Sequence, residues 1–165
     1  MSKKLVVYYS YSNGNTKRIA ERVKDKTAAD ILRIDTVKPY EGTYDEIVAQ
    51  GKRECDSSFT PEIKPSKVDL SAYDTIIIGT PTWWYTMSPA ILSFMRNNDF
   101  KGKTVIPFMT NAGWRGNVIK NMTKEAVGAN VILPLEVKFD SGGGDNLETP
   151  MKKIDEWIDK INSEG

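Results

Sequence analysis

Three unbroken apolar runs punctuate the chain: Leu5 to Ser10 (LVVYYS), Thr75 to Gly79 (TIIIG) and Thr104 to Met109 (TVIPFM). Each is short, rich in β-branched or aromatic residues, and bounded by turn formers. Continuous rather than alternating apolar character predicts strands covered on both faces, as in a parallel sheet. Ile31 to Ile34 and Val131 to Leu133 are two weaker strand candidates. Helical patterns fall between the strands. Thr16 to Lys26 puts Ile19, Ala20 and Val23 on one face. Tyr44 to Arg53 is a second helix, and Pro89 to Arg96 a third with proline at its first position. Asn117 to Val127 follows Gly116. Thr149-Pro150 opens the last helix, where Met151, Ile154, Trp157, Ile158 and Ile161 form an apolar stripe. Strict alternation of strand and helix predicts an α/β protein with a doubly wound, five-stranded parallel sheet in a three-layer sandwich. One domain is expected over residues 1–165, with right-handed crossovers. Cys55 to Ser71 and Asp140 to Asp145 (DSGGGD) read as surface loops.

Composition narrows the chemistry. The 165 residues carry 23 Lys+Arg and 22 Asp+Glu, a net charge of +1, and no strongly basic segment. That disfavours a nucleic-acid partner. Cys55 is the only cysteine and there is no histidine. An intramolecular disulfide, a cysteine metal cluster and Ser-His or Cys-His catalysis are all excluded. The chemistry is therefore expected to reside in a bound cofactor. No stretch approaches the length of a membrane span, and Leu5 to Tyr9 is too short for a signal-peptide core. A cytoplasmic protein without a membrane partner is the expectation.

In a doubly wound sheet, ligands sit beyond the carboxyl ends of the strands. Three loops there are informative. The first is Ser10-Tyr11-Ser12-Asn13-Gly14-Asn15-Thr16, just before a helix. Its hydroxyls, amides and backbone N–H groups can wrap an anion at a helix N-terminus. It has no lysine and no GxGxxG pattern, so a small phosphate monoester suits it better than a nucleotide triphosphate or dinucleotide. The plain alternative is a turn and a helix cap. The second loop runs Pro81-Thr82-Trp83-Trp84-Tyr85. Its three consecutive aromatics can wall a planar heteroaromatic ring, or else close the sheet end as a hydrophobic patch. The third is Thr110-Asn111-Ala112-Gly113-Trp114-Arg115-Gly116, whose small residues permit close backbone approach. Together the three describe a site for a planar ring joined by a short polar tail to one phosphate. FMN is such a ligand.

With these residues in view, nearly the whole chain resembles the flavodoxin-like family. The likeness is nearest to a bacterial short-chain group with a tyrosine-rich first strand and a Pro-x-Trp-Trp loop. It rests on Tyr8 to Lys17 with Ile19-Ala20, Pro39-Tyr40, Tyr73-Asp74, Gly79 to Trp84, Gly102-Lys103-Thr104 and Pro107 to Thr110. The resemblance implies a sheet in the order 2-1-3-4-5 with FMN at its carboxyl edge. It implies that Ser10, Ser12, Asn13, Gly14, Asn15 and Thr16 hold the phosphate. Pro81, Thr82, Trp83, Trp84 and Tyr85 would line ribityl and ring, and Thr110, Asn111, Ala112, Gly113 and Gly116 the ring's other side. Two departures stand out: bulky Trp114 in a loop usually rich in serine and glycine, and a balanced charge where electron-carrier flavodoxins are acidic.

The expected function is electron transfer through bound FMN, with redox partner proteins or a small quinone-like acceptor, by a monomer or weak homodimer. A two-electron FMN-dependent NAD(P)H:quinone-type oxidoreductase is the rival, and a flavin-free binding module a third reading. Thr80 to Pro89 contains no glycine. The peptide flip that stabilises the neutral one-electron-reduced flavin in flavodoxins would be harder here, because a non-glycine residue resists positive φ.

Overall fold

The computed structural model describes residues 3–11, 14–140 and 144–164. Its centre is the pair of strands read most easily from sequence. Strands β1 (Lys4–Tyr8) and β3 (Thr75–Trp83) run parallel in the register Leu5↔Ile76, Val6↔Ile77 and Val7↔Ile78. All six side chains are fully buried. Strand residues alternate between faces, so two cores form. Leu5, Val7, Ile76 and Ile78 pack with α3 (Pro89–Asn97) and α4 (Val118–Glu125). Val6 and Ile77 pack with α1 (Asn15–Thr27) and α5 (Met151–Ser163). Burying one such side chain contributes roughly 1.5–3 kcal/mol, which is why these runs must be apolar throughout. Helix α2 (Tyr44–Asp56) lies on the α3 side, with Ile47 against that core.

Strand order is β2 (Asp30–Arg33), β1, β3, β5 (Thr104–Asn111), then β6 (Asn130–Val131), all parallel. This is the 2-1-3-4-5 order, with two differences of detail. The fifth position is divided. β6 and β7 (Leu135–Lys138) both pair with β5, and residues 132–134 interrupt them. The predicted strand Val131 to Leu133 breaks because Leu133 takes φ 50°, and Pro134 cannot donate to a ladder. Secondly, β3 runs on past Gly79 to Trp83 and folds back antiparallel onto β4 (Thr86–Met87). The three aromatics expected in an open loop thus occupy a strand end and a two-residue turn, Trp84-Tyr85. The segment after Cys55 is less irregular than expected. It finishes α2, bridges Ile63 to Thr36, and forms a short 3-10 turn at Leu70–Ala72. Among the described residues no helix is long and apolar enough to cross a membrane.

Candidate functional site

The carboxyl ends of β1, β3 and β5 gather the first, second and third loops at one edge of the sheet. After β1 the chain enters α1 through Gly14, which adopts the left-handed φ of 73° and has no side chain to cap the helix. Buried Ser10 reaches forward instead: its Oγ accepts from the Lys17 amide at 3.2 Å. Arg33 on the neighbouring strand donates to the Ser10 carbonyl at 3.1 Å, bringing a guanidinium beneath the loop. Ser12 and Asn13 lie outside the described residues.

Thr16 is buried at the start of α1, and its hydroxyl lies 2.8 Å from that of Thr110 at the end of β5. This contact spans β3 and ties the first loop to the third. Asn15 links the first loop to the far side: its Nδ2 donates to the Gly144 carbonyl at 3.0 Å. Its Oδ1 is buried with no hydrogen-bond partner among the described residues. The Asp140 carboxylate organises the segment that reaches Asn15, with Oδ1 accepting from the Gly144 amide and Oδ2 from that of Asn146. The sequence marked this stretch as a loop but gave no sign that it meets the helix.

Thr82, Trp84 and Tyr85 on one side face Asn111, Ala112 and Trp114 on the other across a cleft of about 280 Å³. Trp84 and Tyr85 hold φ of 48° and 67°. Two successive positive φ values are what a two-residue hairpin of primed type needs, although neither residue is glycine or asparagine. Neighbours hold this turn. Trp84 Nε1 donates to the Val48 carbonyl at 3.1 Å, and the Asn117 amide donates to the Tyr85 carbonyl at 2.7 Å. Gly116 lies so near that a Cβ there would sit 2.4 Å from the Tyr85 carbonyl oxygen. Its surroundings are therefore the turn's backbone. Asn111 is fixed by Glu136, whose Oε2 accepts from Nδ2 at 2.8 Å, and its own Oδ1 accepts from the Gly113 amide at 2.9 Å. The other oxygen of Glu136 pairs with exposed Arg115. Pro81 is paired in the sheet opposite Thr110.

Trp83 makes its ring contacts elsewhere. It meets Tyr9, Tyr11 and Tyr40 edge-on, at centroid separations of 5.8, 5.9 and 5.0 Å. Sequence spacing carried no sign of this cluster. Burial pushes the Tyr9 and Tyr40 phenols well above their ordinary range, and for Tyr40 a hydrogen bond to Glu54 adds to the effect. Both stay neutral donors at any physiological pH.

The edge thus combines a hydroxyl- and amide-lined turn at a helix N-terminus with an aromatic slot alongside. Such a site takes an anion and a flat ring at once.

The family model described as Flavodoxin matches residues 3–161. Flavodoxin from Nostoc sp. PCC 7120 is 27% identical over 154 residues, covering 87% of this chain and 68% of that one. A protein from Bacteroides eggerthii assigned to the flavoproteins superposes with a TM-score of 0.78 at 28% identity, over 98% of both chains. A Lactobacillus acidophilus flavoprotein, solved in complex with FMN, superposes with a TM-score of 0.70 at 24% identity, over 95% of this chain and 99% of that one. The match of the family model over almost the entire sequence, on a sheet of the same order, means that this chain belongs to the flavodoxin family.

Proposed function

We propose that this protein binds FMN at the carboxyl edge of its sheet and carries electrons between redox partner proteins in the cytoplasm. The observation that carries the reading is the Thr16–Thr110 contact, which sets the anion-binding turn directly beside the aromatic slot. The residues fit the cofactor. Ser10, Gly14, Asn15 and Thr16 offer hydroxyl and amide groups without a lysine, as suits one terminal phosphate. The buried Asn15 Oδ1 is an acceptor without a donor among the described residues. A ribityl chain has hydroxyls to supply one, whereas a bare phosphate dianion does not. Thr82, Trp84, Tyr85, Asn111, Ala112 and Trp114 give the ring two walls, with Pro81 and Gly113 adjoining them in the chain.

Bound FMN supplies reversible electron uptake and release. The protein's own part is to hold and tune it. Its slot walls are uncharged aromatic and amide groups, so they stabilise a neutral ring better than an anionic one. The Trp84-Tyr85 turn is held through Val48 and Asn117, which fixes that wall in place.

An anaerobic reductive titration of the FMN-mixed protein tests this, read by visible absorbance after ultrafiltration. Retained flavin with a perturbed spectrum and a one-electron stage supports the carrier. Flavin that filters away overturns the site. Retained flavin that passes straight to the two-electron form moves the assignment to a reductase acting on a quinone-like acceptor.

A further inference from the structure

A second cleft opens on the α2 side of the segment that walls the flavin slot. It holds about 770 Å³, inside the range of roughly 300–1,000 Å³ of small-molecule sites. Tyr11 comes to it from the first loop, Trp83 and Trp84 from the end of β3 and its turn, and Tyr44 from the start of α2. Thr82 and Trp84 line this cleft and the slot alike, so the two share a partition. None of its described lining residues is charged. Buried Gly51, in the middle of α2, completes the lining. Glycine inside a helix weakens it relative to alanine. A Cβ at Gly51 would lie 3.5 Å from Trp83 Cε3 and 3.7 Å from Trp84 Cδ1, which are ordinary contact distances, and Gly51 does not hold a positive φ. The packing of the fold therefore does not require glycine here. What the missing methyl leaves is room beside the two indoles.

We propose that this cleft is a binding site, separate from the flavin slot, for a small, flat, uncharged aromatic molecule with a carbonyl or hydroxyl oxygen at its edge. Aromatic side chains take a ring in offset-stacked or edge-to-face geometry, and four of them converge here. A charged ligand would give up its water without gaining an ion partner from the lining. The ligand's edge is served by the tyrosines. Tyr11 and Tyr44 are both exposed, and neither phenol makes a hydrogen bond among the described residues. Each can donate to a carbonyl or accept from a hydroxyl. The two sides of the cleft differ in rigidity. Trp84 is anchored through its bond to the Val48 carbonyl, whereas Tyr44 is 81% exposed and can close over a ligand at little cost in other contacts. The site does not rest on the flavin reading, because the chain itself supplies every wall.

The test titrates the full chain, 15N-labelled and without added flavin, with coumarin, an uncharged bicyclic lactone. Two-dimensional NMR follows the indole N–H signals. Saturable shifts at Trp83 and Trp84, with Trp114 and Trp157 unmoved, are expected at a Kd of about 1 mM or tighter, as suits so small a ligand. The saturated ketone 2-decalone and the anion naphthalene-2-sulfonate test flatness and charge, and both are expected to bind at least about tenfold more weakly, the equivalent of one lost ring contact. Gly51→Ala is expected to raise the thermal midpoint by about 2–4 °C, as alanine improves the helix. The same substitution should weaken coumarin about tenfold by crowding the site. Tyr44→Ala should weaken it about fivefold and leave the midpoint unmoved. Absence of saturable shifts, equal binding of either control molecule, or unchanged coumarin affinity in Gly51→Ala overturns the proposal. So does displacement of coumarin by FMN, or a shift at Trp114, since the cleft would then be part of the slot. Failure of the chain to retain FMN overturns the flavin reading alone and leaves the coumarin result standing.

Discussion

The Thr16 and Thr110 hydroxyls meet 2.8 Å apart in a buried position, joining the first turn of α1 to the end of β5 across the intervening strand. One hydroxyl must donate and the other accept, so each depends on its partner. Thr110→Val is expected to cost about 1–3 kcal/mol, because it leaves a buried Thr16 hydroxyl unsatisfied. Thr16→Val should cost a similar amount. The double substitution replaces both partners by apolar groups of the same shape, and is expected to cost clearly less than the sum. Urea unfolding of the four proteins closes the cycle. Additive costs would mean that the two hydroxyls do not support one another.

Gly116 and Gly14 both hold positive φ, yet their surroundings predict different outcomes. A Cβ at Gly116 would lie 2.4 Å from the Tyr85 carbonyl oxygen and 2.5 Å from the Tyr85 Cα. A Cβ at Gly14 meets nothing within 4 Å among the described residues. Gly14→Ala is therefore expected to carry only the left-handed penalty of about 1–2 kcal/mol. Gly116→Ala adds a backbone collision and should exceed it by at least about 1 kcal/mol. It should also shift the Trp84-Tyr85 turn, seen as a change in tryptophan emission that Gly14→Ala does not produce. Equal costs would contradict the packing of the α4 entrance against the turn.

The two sheet-centre strands were legible because burial on both faces demands continuous apolar runs, and Ile76 to Ile78 can hardly be read otherwise. The fifth strand was less so. Val131 to Leu133 has strand composition, but Pro134 and the left-handed Leu133 divide the strand, and β7 resumes at Leu135. The turn at Trp84-Tyr85 escaped notice for a different reason. Hairpin turns announce themselves through glycine or asparagine, and here tertiary bonds from Val48 and Asn117 hold two aromatic residues at positive φ. The premise that this stretch avoids positive φ for want of glycine thus fails at the backbone itself. The hydroxyl- and amide-bearing turn before α1 was marked as a candidate site from its residue types. The destination of Trp83 was not, because its partner Tyr40 lies 43 residues away and no local pattern encodes that meeting.

Alkaline pH should weaken the fold. Burial pushes the Cys55 thiol from 9.0 up to about 12, with Glu54 and Asp56 adding to the rise, and burial also raises Tyr9 and Tyr40 above 10.0. Each is a group whose folded value exceeds its unfolded one. The unfolded chain therefore releases these protons first, so their contribution is complete below about pH 9 and declines as pH rises toward 12. Unfolding free energy is expected to be level from pH 7 to 9 and to fall above it, as read by urea unfolding at fixed ionic strength. Cys55→Ala should flatten the earliest part of that decline. A stability that climbs above pH 9 would reverse the sign.

Trp114 and Trp84 wall the same slot but differ in what else they do. Trp114 is 62% exposed and lies on the outer side. Trp84 is bonded to the Val48 carbonyl and carries the Lys52 ammonium 5.6 Å above its ring. Trp114→Ala is expected to change stability by no more than about 0.5 kcal/mol, as for an unanchored surface side chain. It should nevertheless lower FMN affinity about tenfold, the equivalent of one lost aromatic stacking contact. Trp84→Ala should lower both, because removing it also frees the turn and orphans a backbone acceptor. Fluorescence titration with FMN, set beside thermal unfolding of the flavin-free proteins, separates the two. Were Trp114→Ala to bind FMN as tightly as the unsubstituted chain, the outer indole would be no wall of the flavin slot. Its exposure would then be better explained by contact with a redox partner than with the ring.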